Sequence, residues 1–66
     1  MSDIKFPVDV QMDGKLYTVT SIIYPKQVGS PLAVARMQGG ILGKRKVQSP
    51  STRIRLARRV LELDRQ

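Results

Sequence analysis

Between Lys44 and Arg59 the chain carries seven of its twelve lysines and arginines, and no acid. Lys44, Arg45 and Lys46 come first, then Ser49, Ser51 and Thr52 around Pro50, then Arg53, Arg55, Arg58 and Arg59. Side chains of these types hold phosphate. Guanidinium and ammonium groups make charge-assisted hydrogen bonds to its oxygens, and hydroxyls and free amides at a helix start donate into the same anion. The order of charge sharpens this. A helix over 50–65 has four of its five arginines, 53, 55, 58 and 59, towards the N-terminus and both its acids, Glu62 and Asp64, near the C-terminus. The macrodipole favours the reverse order by about 0.3–1 kcal/mol per terminal charge. An anion docked at the helix start removes that conflict. A plainer alternative is that Arg55, Arg58 and Arg59 solvate an exposed face, with Arg58 pairing Glu62 four residues on. The reading adopted is that the seven basic residues contact nucleic acid and that Ser49, Ser51 and Thr52 line an anion-binding helix N-terminus.

Other chemistry is poorly supported. The chain has no cysteine and no histidine, which removes disulfides, the usual nucleophile–base pairs and the common transition-metal ligands. Its five acids form no convincing acid/base couple; Glu62 and Asp64, two apart on a helix, diverge. A non-enzymatic protein with no metal or cofactor is expected. The run Gly39-Gly40-Ile41-Leu42-Gly43-Lys44 lacks the spacing and the following Ser/Thr of a Walker loop, and reads as a turn.

Composition points the same way. The net charge is +7, and residues 44–66 contribute +6 of it with eight bases and two acids. Such a field draws polyanions without naming them. No apolar run approaches the roughly 20 residues of a membrane span, and nothing at the N-terminus reads as a signal peptide. A cytoplasmic protein is expected, nucleoid-associated if the ligand is DNA. Sixty-six residues make a single small basic domain near the lower limit for independent folding, which leaves a homodimer open.

The elements that must position these groups follow from periodicity. Phe6, Val8, Val10 and Met12 alternate with Pro7, Asp9 and Gln11, the period of a half-buried strand. Asp13-Gly14 suits a two-residue type I′ turn, which sets Val10 opposite Tyr17 and Val8 opposite Val19 in a hairpin over 4–24. Pro7 marks the first strand as a sheet edge, and Pro25 ends the second. Residues 31–38 fit either a short helix capped by Ser30 or a strand. The balance favours a second hairpin over 32–48, turning at Gly39-Gly40, with Leu32 opposite Val47 and Met37 opposite Leu42. From Ser49 as N-cap and Pro50 at the first position, an amphipathic helix runs over 50–65 with Ile54, Ala57, Val60 and Leu61 inward, and Leu56 and Leu63 flanking. Phe6 and Tyr17 are assigned to the core, and Tyr24 is the one ring placed for stacking on a base.

The fold class is therefore α+β, a small antiparallel sheet covered by a C-terminal helix, with an SH3-like or barrel-like closure compatible. In layout (hairpin, further sheet with a Gly-Gly turn, C-terminal helix, basic charge) the chain resembles the small archaeal seven-kilodalton chromatin proteins. The likeness is architectural and transfers no residue role. Duplex DNA is favoured over RNA, because exposed rings for single-strand stacking are few. The alternative is a small regulator that docks its arginine face on an acidic protein surface. Membrane binding is not expected, since the helix needs its apolar side for the core.

Overall fold

The computed structural model describes residues 4–39 and 45–64. Strands β1 (Val8–Met12), β2 (Lys15–Ile23), β3 (Leu32–Gln38) and β4 (Arg45–Lys46) precede helix α1 (Pro50–Asp64). All neighbouring strands are antiparallel, in the order β1-β2-β3-β4. The helix lies on one face of the sheet, against β3 and β1. The sheet is open, so no barrel-like closure forms.

The first hairpin has the register its sequence dictates, Val10 opposite Tyr17 and Val8 opposite Val19. Asp13 (φ 55°) and Gly14 (φ 73°) both adopt the left-handed conformation that a type I′ turn demands, and Asp and Gly tolerate it best. Two independent constraints, turn chemistry and apolar alternation, select the same pairing. β1 is an edge strand, as Pro7 implies.

Residues 32–38 form a strand, but its pairing with β4 differs from expectation. Arg36 faces Lys46 and Met37 faces Arg45, whereas a two-residue Gly39-Gly40 turn requires Met37 opposite Leu42. Val47 lies beside Ala35, to whose carbonyl its amide donates, and so does not face Leu32. The physical reason is which side chains reach the core. The tighter register sets Lys46 opposite Ala33, on the face the helix covers. In the observed one the Val47 amide donates to the Ala35 carbonyl at 3.0 Å, and the Val47 side chain packs on the core. A one-step change of parity exchanges an inward-facing lysine for an inward-facing, half-buried valine.

A bulge between Val19 and Ser21 does similar work in β2. Thr20 is the extra residue, its hydroxyl donating to the Val34 carbonyl at 3.1 Å. Without it, alternation from Tyr17 and Val19 would point Ser21 inward; with it, Ile22 joins the core opposite Ala33. The core comprises Val10, Tyr17, Val19, Ala33, Ala35, Leu56, Ala57 and Val60. Small Ala33, Ala35 and Ala57 let the helix backbone approach β3, and Leu56 fills the space with no exposed surface. Phe6, expected inside, is 38% exposed, since it lies ahead of the first paired residue Val8. Leu63 at the helix end is 46% exposed, and Ile54 and Leu61 are half-buried.

The face away from the helix is organised by polar contacts. One cross-strand row runs Asp9, Thr18, Arg36, Lys46 over all four strands. Buried Thr18 is fully engaged: its hydroxyl donates to Asp9 Oδ1 at 3.0 Å and accepts from Gln38 Nε2 at 2.7 Å. That row ends in two adjacent cations on β3 and β4.

Candidate nucleic-acid interface

The seven basic residues singled out in the sequence are divided by the fold. Arg45 and Lys46 are exposed on the short edge strand β4. Lys44 lies outside the described residues. Arg53 is half-buried, its Nε donating to the Ala33 carbonyl at 2.9 Å. This bond ties the first turns of the helix to β3 and fixes the guanidinium near the sheet, with its remaining N–H groups still able to donate.

Arg55, Arg58 and Arg59 sit elsewhere, along the outer side of the helix beside the β1–β2 turn. With Gln11, Met12, Asp13 and Glu62 they line a groove of about 410 Å³. Arg55 Nη2 contacts Asp13 Oδ2 at 3.0 Å, with both side chains half exposed. Arg59 lies 4.0 Å from Glu62, the partner expected for Arg58. Two carboxylates therefore share this groove with the three arginines, which lowers its appeal to a polyanion. Among the described residues Arg58 makes no ion pair.

The first turn of the helix contains no acid. Ser49 stands at the N-cap position, its carbonyl accepting from the Arg53 amide at 3.0 Å. The Ser49 and Ser51 hydroxyls are 3.1 Å apart and exposed, and Thr52 is half-buried. Three residues separate this start from Lys46, so β4 leads directly into it. The orphan amides and hydroxyls of the first turn thus follow β4 closely along the chain, with Arg45, opposite Met37, on the helix side of the sheet and Lys46, opposite Arg36, on the open face.

Arg36 was not among the residues singled out in the sequence. It is exposed and directly opposite Lys46. Like charges so placed repel, and no carboxylate pairs with either among the described residues. The nearest acid in the row, Asp9, is two strands away and bonded to Thr18. The signal lay in the register of β3 against β4, which the sequence left ambiguous. Tyr17 is buried and Tyr24 is 68% exposed, beside Pro25 and Lys26.

No cluster of three or more potential metal-ligating acids occurs among the described residues. No helix there is long and apolar enough to cross a membrane. Comparison with protein-family models, with curated proteins and with solved structures gives no match to the chain.

Proposed function

We propose that this is a small non-enzymatic nucleic-acid-binding protein that holds the phosphates of duplex DNA at the corner where β4 enters the helix. The carrying observation is the Arg36–Lys46 pair: two exposed cations directly opposite each other, with no carboxylate pairing with either among the described residues, at the edge whose strand β4 leads on to a helix with no acid in its first turn. Stability alone disfavours both features, and an anion offsets both. Arg36, Arg45 and Lys46 are the primary contacts in this reading. Ser49, Ser51, Thr52 and the free part of Arg53 supply directed hydrogen bonds, while Arg58 and Arg59 extend the field along the helix. Contacts of this type position a duplex with little sequence preference, which suits an architectural or regulatory role near the nucleoid.

Titration with a short duplex at several salt concentrations tests the proposal. Three phosphates neutralised by Arg36, Arg45 and Lys46 give a slope of log K against log salt of about −2.7. Absence of binding at low salt, or a salt-independent affinity, overturns it. Running the same titration against lysate proteins, before and after nuclease treatment, separates this reading from docking on an acidic protein. Partners that survive nuclease and resist competition by duplex DNA favour the protein surface.

A further inference from the structure

The two edges of the sheet are unlike. β4 is two residues long and both are basic, which are two of the devices that keep an edge from pairing with another chain. β1 has five residues with no lysine, no arginine, no proline and no bulge of its own. Its backbone is also accessible. A second groove, of about 470 Å³, is lined by the unbroken run Asp9–Gly14 along one side and by Arg59 and Leu63 of the helix on the other.

The hairpin turn fixes which backbone groups face that groove. In a two-residue hairpin the residues flanking the turn, Met12 and Lys15, exchange hydrogen bonds, and alternation then assigns Val10 and Val8 to β2 as well. The amides and carbonyls of Asp9 and Gln11 point outward, so β1 offers a row of unused donors and acceptors beside half-exposed Leu63.

We infer that this edge pairs with a second copy of the chain, β1 antiparallel to β1 about a two-fold axis at Val10. The axis is selected by charge. Centred on Val10, each Asp9 meets the second copy's Gln11 and the outward groups of both residues are satisfied together. Centred on Asp9, the acid faces its own copy, which is unfavourable. The resulting sheet has eight strands with both helices on one face, and only the charged β4 edges remain free. The closed two-fold contact ends growth at two copies. A second chain also supplies stability that one 66-residue core provides sparingly.

Sedimentation equilibrium from micromolar to millimolar protein tests this independently of any nucleic acid. The expected mass rises with concentration from 7.4 kDa to twice that value. Gln11→Pro removes an outward amide and leaves the β1–β2 bonds in place, so it should remain a monomer with unchanged circular dichroism. Should that variant unfold, two charge variants decide the matter. Gln11→Asp sets an acid against each Asp9, making two like-charge pairs per dimer, and should weaken dimerisation by about 2- to 30-fold. Gln11→Lys sets a base there and should not weaken it. A monomer at every concentration, or equal dimerisation by the Asp and Lys variants, overturns the inference.

Discussion

Replacing Arg36 by glutamine should make the protein more stable and a poorer DNA binder, and the two effects should part with salt. Arg36 and Lys46 are directly opposite on the open face, and the acid in their cross-strand row, Asp9, is held by Thr18 two strands from Arg36. Side-chain charges about 7 Å apart in a water-like medium repel by about 0.6 kcal/mol, roughly halved by physiological salt. Glutamine keeps part of the aliphatic stem over the sheet while removing the charge. The expected gain is therefore about 0.2–0.5 kcal/mol, or a rise in Tm of about 1–4 °C for a domain of this size. In ~1 M salt, where the screening length is about 3 Å, the gain should vanish. Thermal unfolding followed by circular dichroism at low and high salt reads this directly. Titration of the same variant with duplex DNA should show a salt slope shallower by about 0.9. Reduced stability at low salt, or a Tm gain that persists at high salt, would show that Arg36 is held by something other than tolerated repulsion.

Two further variants address the scaffold. Leu56→Ala empties the centre of the helix–sheet core, where Leu56 is fully buried. It should cost about 2–5 kcal/mol, a large part of the stability of so small a domain, measurable by urea unfolding. Thr18→Val removes the hydroxyl that links Asp9 to Gln38. Both partners can turn towards water, so the loss should stay near ~1 kcal/mol in the same assay, and a neutral result would mean that the network contributes no net stability.

The legibility of this fold in its sequence varies with how local the determining forces are. The β1–β2 hairpin was readable because Asp13-Gly14 and the apolar alternation of residues 6–12 and 17–19 each specify the same register. The helix was readable from Ser49-Pro50 and its apolar stripe. The β3–β4 register was not, because it depends on the helix: Val47 is drawn beneath it and Lys46 is turned away, and no turn chemistry at Gly39-Gly40 encodes that choice. The Thr20 bulge was hidden for the same reason, since it exists to exchange Ser21 for Ile22 at a surface defined by tertiary packing. The candidate site shares this history. Arg45 and Lys46 stood out as a charge run, but Arg36 becomes their neighbour only once the register is known. The bridge from Arg55 to Asp13 joins residues 42 positions apart, and no periodicity announces it. Residues 53–59, read as one arginine face, are separated by the packing into Arg53 held at β3 and Arg55, Arg58 and Arg59 beside Asp13 and Glu62.

Amide chemical shifts recorded while a short DNA duplex is added locate the phosphate-binding surface residue by residue. The largest changes should fall on Arg36, Arg45, Lys46 and the first helical turn from Ser51 to Arg53, and diminish as salt is raised. Changes confined to Gln11–Asp13 and the outer arginines of the helix, or no change at low salt, would contradict the proposed function.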